Sequence, residues 1–200
     1  MLKLTSSDYQ TTAWSGGKTT QLAIAPEGAV YAERDFLWRI SSATVELEES
    51  DFTPLSDYNR LIATLQGEID LSHDGASRLH LRPFEVHRFD GGVATHSRGR
   101  CTDFNLMLRK RVVDGSLDAA ILHSGSKLIT SGSRTEEGLA YAAILVFCVS
   151  GQLLVENGSE RFELRAGEAA LERMPETMRL HAAGETGTAL ICKIWYLQDN

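Results

Sequence analysis

Five polar residues, Arg39, Ser41, Arg60, Asp103 and Asn105, stand on stretches whose alternation is that of β-strands. Strand interiors are poor in Asp and Asn, so a strand carrying both lines a polar cavity or ends at a turn. Residues 36–47 (FLWRISSATVEL) change phase: Phe36, Trp38 and Ile40 share one face, whereas Ala43, Val45 and Leu47 share the other. An uninterrupted strand turns Arg39 and Ser41 to the side of Val45 and Leu47. A bulge near Ser41 and Ser42 would instead restore a single apolar face. A guanidinium turned inward needs an anion, from the protein or from a ligand. Residues 103–108 (DFNLML) alternate as well, with Asp103, Asn105 and Met107 opposite Phe104, Leu106 and Leu108. Asp103 is the natural partner for Arg39 or Arg60, and Asn105 can both donate and accept. The chemistry expected of this set is recognition of a small anionic metabolite. Arg39 and Arg60 would engage a carboxylate, Asn105 and Ser41 would fix its polar groups, and Met107 shares their face.

The other chemistry-bearing residues are less organised. Residues 14–20 (WSGGKTT) resemble a phosphate loop, but Thr12 stands where the P-loop needs a glycine, and residues 5–13 are polar. Two readings are left: a Gly-Gly turn pinned by Trp14, or a nest of N–H groups at Gly16 and Gly17 beside a Trp14 wall. The six histidines show no H-x-H or H-E-x-x-H spacing, so no metal site and no cofactor is expected. His73 and His181 fall at a hairpin tip and near a loop and are expected to be solvated. His87 and His96 flank a Gly-Gly turn, and either could serve as a general base oriented by Asp103. That alternative makes the chain a metal-independent isomerase or lyase. There is no G-x-S-x-G elbow, and no cysteine lies in a nucleophile pattern.

The elements that must position these residues occur twice. Residues 60–89 and 147–171 share an order of apolar strand, glycine, alternating strand, Gly-containing turn and return strand, with Gly67 and Gly151 offset by 84 residues. A period this long means two barrel-sized units rather than a solenoid. Residues 68–72 and 78–82 alternate around Asp74-Gly75, and residues 153–156 and 162–164 flank Asn157-Gly158, a type I′ candidate. Residues 144–149 and 189–197 are near-continuous apolar runs, as in strands buried on both faces. Residues 117–123 (LDAAILH) suggest two helical turns joining the halves, capped by Ser116. The fold expected is all-β, a bicupin of two jelly-roll-like antiparallel β-barrel halves with very little helix, divided at 1–112 and 113–200 and packed as one unit. The polar set belongs to the first half, and the second half serves as support.

Composition limits the partners. The chain is 42% apolar and 24% charged with a net charge of −7, which argues against nucleic acid or an anionic membrane surface. The N-terminus has no apolar h-region, and the longest apolar run is too short to span a bilayer. Three cysteines, an odd count without C-x-x-C, suit the cytoplasm, with Cys148 and Cys192 as buried free thiols. Open jelly-roll edges invite a homodimer through a strand edge.

The motifs WSGGKTT (14–20), DFLWRISSA (35–43), FTPLSDYNR (52–60) and DFNLM (103–107) resemble those of the HutD/Ves family of bacterial bicupin proteins. Ser15 and Lys18 depart from the family's usual first motif, and Leu55, Ser56 and Asp57 from its third. The resemblance implies a metal-free bicupin without established enzymatic activity. It also implies a regulatory role linked to histidine utilisation or to stress, with a formylglutamate-like acid as ligand.

Overall fold

The computed structural model describes residues 1–129, 141–173 and 177–198. Seventeen strands run in order β1 (Leu2–Leu4), β2 (Gln10–Trp14), β3 (Gly17–Ala25), β4 (Trp38–Val45), β5 (Glu49–Asp51) and β6 (Tyr58–Gln66). Then come β7 (Ile69–His73), β8 (Leu79–Leu81), β9 (Val86–Asp90), β10 (Thr95–Arg98) and β11 (Cys101–Arg109). The rest are β12 (Val113–His123), β13 (Ser126–Ile129), β14 (Tyr141–Asn157), β15 (Glu160–Arg165), β16 (Ala169–Arg173) and β17 (Met178–Tyr196). Among the described residues the one helical element is a 3-10 turn at Tyr31–Glu33, and no helix is long and apolar enough to cross a membrane.

Contacts divide the chain into Tyr9–Arg111 and a second unit of Met1–Asp8 with Val112–Asn200. Residues 1–8, expected in the first half, instead add β1 to the edge of the second unit through pairing with β16. The α-ammonium of Met1 bonds Glu160 at 2.6 Å and Lys3 meets Glu168 at 2.8 Å, which ties the strand down. This second unit is one seven-stranded sheet built on the long antiparallel ladder of β14 with β17. Ile144, Val146, Cys148, Val155, Leu180 and Ile191 form its core, as the continuous apolar runs predict.

The first unit holds two sheets, β2-β3-β4-β11-β6-β9 and β5-β10-β7-β8, all antiparallel. Between them Val45, Ile62, Ile69, Leu71, Leu81, Phe89 and Cys101 cluster with Phe52. The β7–β8 hairpin turns at Asp74 (φ 49°) and Gly75 (φ 71°), two left-handed residues in succession, as a type I′ turn requires.

The duplication is visible in one backbone detail. Gly67 (φ 75°) and Gly151 (φ 71°) each present a bare Cα to a facing backbone carbonyl, and a Cβ there would lie 2.4 Å from the oxygens of Arg100 and Thr186. Only glycine fits both the left-handed backbone and the close approach. Three local expectations are corrected. Residues 117–123 are not helix but part of β12, because eleven consecutive rungs with β17 outweigh the modest helix propensity of LDAAILH. The second hairpin turns at Gly158 and Ser159, one residue later than expected, with Asn157 paired to Glu160. Of its two central residues only Gly158 has positive φ (58°), the pattern of a type II′ rather than a type I′ turn. Finally, β4 has no bulge near Ser41–Ser42; it pairs with β11 without interruption, and the slip lies in β3 between Gln21 and Ala23.

Candidate functional site

Because β4 runs unbroken, Arg39 and Ser41 do turn inward, at 6% and 2% exposure. The pairing of β4, β11 and β6 places residues in rungs on one face. The first rung is Arg39–Met107–Arg60, the second Ser41–Asn105–Ile62, the third Ala43–Asp103–Thr64. Gln21 of β3 extends the second rung at one end and His87 of β9 at the other. Six of the residues expected to bind ligand, Arg39, Ser41, Arg60, Asp103, Asn105 and Met107, are thus brought together and buried.

The hydrogen bonds are ordered along these rungs. Arg39 Nε donates to Gln21 Oε1 at 2.7 Å and Nη1 to Ser41 Oγ at 3.1 Å. Arg60 Nη2 donates to Asn105 Oδ1 at 2.9 Å, and Asn105 Nδ2 donates to Asp103 Oδ1 at 2.7 Å. The Ala43 N–H also reaches Asp103 Oδ1, at 3.3 Å. Asp103 therefore meets Arg60 through Asn105 rather than as the direct ion pair expected, and it does not bond Arg39. Among the described residues neither arginine has a carboxylate within salt-bridge distance, while Arg60 Nε and Thr64 Oγ1 are buried without a hydrogen-bond partner.

Aromatic rings lie against both guanidiniums. The Arg39 guanidinium lies 4.2 Å from the centre of the Tyr31 ring, and that of Arg34 lies 3.8 Å from it. Arg60 lies 4.7 Å from Phe52 and 5.2 Å from Phe89. Tyr31 is held by packing on the cluster of Phe36, Leu55, Tyr58 and Met107, and the Tyr58 hydroxyl bonds the carbonyls of Arg34 and Phe36 at 2.9 Å. A guanidinium whose face is stacked presents in-plane N–H groups, the geometry that receives a carboxylate.

Burial dominates the electrostatics. It pulls Arg39 down from the ordinary guanidinium range to about 10, with Arg34 and Arg60 adding in the same direction against Tyr31. Burial also lowers Arg60, against the attraction of Asp103. Asp103 is pushed up from 3.8 to about 6 because its desolvation outweighs Arg60, Asn105 and the Ala43 amide. Two cations are buried near one carboxylate that is itself reluctant to ionise, so this interior carries an excess of positive character.

The other expected residues lie elsewhere. Trp14, Gly16 and Gly17 close the β2–β3 hairpin, where Gly17 pairs Val45 at the far end of β4. Arg39 is six residues away along that strand, or ~20 Å at 3.3 Å per residue. Trp14, at 39% exposure, folds over Gly16 instead of walling the chamber. His96 stands on the outer face of β10 and bonds Asp51 at 2.8 Å. His87 does face inward but bonds His73, Nε2 to Nε2 at 2.9 Å, and not Asp103. His73, expected to be solvated, is half-buried, with its ring edge on His87 and its ring tilted against Phe89. His181 is likewise half-buried and bonds Glu156 at 3.1 Å.

Sequence reasoning missed Gln21, Tyr31, Phe52, Thr64, His73 and Phe89 as chamber residues. Inward phase was available for two of them: His73 continues Ile69 and Leu71 at period 2, and Thr64 continues Arg60 and Ile62. Among the described residues no three His, Cys, Asp or Glu side chains converge as a metal site. A shallow concavity lined by Glu156, Asn157, Gly158, Thr177 and Arg179 in the second unit lies apart from these residues and gathers no comparable set.

Comparison with known proteins agrees with this frame. A search of the curated proteins gives no match. Among solved structures, a conserved protein of unknown function from Pseudomonas aeruginosa PAO1 superposes with a TM-score of 0.82 at 22% identity, over 96% of this chain and 97% of that one. HutD from Pseudomonas fluorescens SBW25 gives 0.77 at 20% identity over 98% and 99%. An oxalate decarboxylase of Bacillus subtilis gives 0.63 at 6% identity, over 98% of this chain and 77% of that one, a likeness of cupin fold alone. The HutD family model matches residues 6–190, and the chain belongs to the HutD family.

Proposed function

We propose that the protein is a binding protein whose first unit holds a small anionic metabolite at Arg39 and Arg60, in a regulatory role linked to histidine utilisation or stress response. The observation that carries this reading is the charge imbalance: two guanidiniums are buried near one carboxylate, Asp103, that bonds neither of them directly, and among the described residues Arg60 Nε has no partner. Burial of a charge without a partner costs several kcal/mol, and folds keep such groups where a ligand completes them. Tyr31, Phe52 and Phe89 hold the guanidiniums so that little freedom is lost on binding. Ser41, Asn105 and Thr64 supply neutral polar groups on the same face, which suits an acid with a second polar function, formylglutamate being the leading case. Binding is favoured over turnover because His96 is outside the chamber and His87 is not oriented by Asp103.

Calorimetry against formylglutamate, urocanate and glutamate tests this. Wild type binds at least one of them, and Arg39→Ala loses at least tenfold in affinity. Absence of binding to all three, or equal binding by Arg39→Ala, overturns the proposal.

A further inference from the structure

His73 and His87 belong to different sheets of the first unit, on β7 and β9, and their rings meet edge to edge, with centroids 5.1 Å apart and planes inclined by 28°. Their Nε2 atoms are 2.9 Å apart, a hydrogen bond between two imidazoles. The neighbours fix which ring donates. The Thr95 hydroxyl donates to the Val93 carbonyl at 3.1 Å, so Thr95 Oγ1 accepts from His73 Nδ1–H at 2.9 Å. His73 is then the Nδ1–H tautomer, its Nε2 accepts, and His87 Nε2–H donates.

The pair is half-buried and so within reach of protons from solvent. Behind it lies Phe89, 5.0 Å from the His73 ring and 5.7 Å from that of His87, and Phe89 in turn backs Arg60. From the geometry we infer that the His73–His87 pair is a proton-operated clasp joining the two sheets over the interior of the first unit. One proton added at His87 Nδ1 leaves the bond intact. A second must enter at His73 Nε2, the accepting atom, which removes the hydrogen bond and sets two cations in contact. Release therefore needs both rings charged, and burial together with the charge of His73 lowers the basicity of His87.

Among the described residues no other charged group is placed to relieve that repulsion. On β9 the flanking Arg88 and Asp90 are exposed on the opposite face, as are His96 and Arg98 on β10 and the Asp70–His80 pair on β7 and β8. Asp74, next in chain to His73, is bonded to the Ala94 amide. On β6 the residue opposite His87 is Ile62, and the inward charges beyond it are Arg60, itself a cation, and Asp103 of β11, which is bonded to Asn105. The clasp is independent of whether the chamber takes an anion.

Cys101 reports on it directly. Its thiol is buried in the cluster with Ile62, Leu71 and Phe89, whereas Cys148 and Cys192 are buried in the second unit. Each thiol reacts with 4,4′-dithiodipyridine only once exposed; the reagent remains active in mild acid, and peptide mass analysis separates the three sites. Relative to free cysteine, Cys101 labelling rises about tenfold or more between pH 7.5 and 5 while Cys148 and Cys192 stay protected. In His87→Gln the amide still donates to His73 but cannot titrate, so the rise disappears; His73→Gln, which keeps an acceptor, behaves likewise. A pH-independent Cys101 rate, the same rise in both variants, or all three thiols unmasking together overturns the clasp.

Discussion

Replacing Arg39 by Met separates a ligand-binding arginine from a structural one. The fall of Arg39 from the ordinary guanidinium range to about 10 corresponds to ~3 kcal/mol by which the folded interior disfavours its charge. Because the guanidinium is charged in both folded and unfolded chains at neutral pH, that cost is flat from about pH 5 to 9. Met keeps most of the apolar stem volume but gives up the bonds to Gln21 and Ser41 and the Tyr31 contact. Those losses offset part of the gain and leave a net stabilisation of about 1–2 kcal/mol, or ~2–8 °C in Tm for a chain of this size. Adding an anion at a hundred times its Kd raises wild type by about 2.7 kcal/mol and leaves Arg39→Met unmoved, so the order of stability reverses. Differential scanning fluorimetry with and without formylglutamate reads both effects. If Arg39→Met melts well below wild type without ligand, Arg39 is an internal staple and the argument from charge imbalance fails.

Asp103 behaves opposite to a salt-bridged carboxylate. Its folded value of about 6 lies above the unfolded 3.8, so its contribution is most favourable below pH 3.8 and is lost as pH rises through 6, by ~3 kcal/mol in all. The urea-midpoint difference between Asp103→Asn and wild type therefore shrinks in the variant's disfavour as pH falls from 7 to 4; a constant difference refutes the shift. Gly67→Ala and Gly151→Ala each destabilise by at least ~2 kcal/mol, through the same carbonyl clash and left-handed backbone, and chemical denaturation measures both. His96→Ala changes stability by less than ~1 kcal/mol and leaves anion binding intact, because the His96–Asp51 pair is solvent-exposed; a tenfold loss of affinity by calorimetry would return His96 to the site.

The duplicated hairpins, the paired glycines and the alternation of residues 103–108 were legible because each is a local pattern with a local physical cause. So was the inward turn of Arg39, through the phase change of residues 36–47, although a bulge at Ser41–Ser42 was an equal reading until the β4–β11 ladder excluded it. What sequence could not supply was register. Asp103 and Arg60 lie on different rungs, so Asn105 comes between them, and no spacing along one strand reveals that. Trp14 was misplaced for the same reason: its motif is adjacent to the chamber in sequence logic but lies at the other end of β4. Residues 117–123 failed because two alanines, Ala119 and Ala120, blur the alternation that the long β17 partner then imposes. His73 was read from its loop tip, not from the inward phase it shares with Ile69 and Leu71.

The central claim is that an anion completes the buried guanidiniums, and the Nε–H signal of Arg60 in a nitrogen–proton correlation spectrum tests it most directly. That N–H has no partner among the described residues. On titration with formylglutamate its proton resonance moves downfield and its exchange with solvent slows, as a charge-assisted hydrogen bond forms. A signal that stays in place while the ligand saturates the protein contradicts the account.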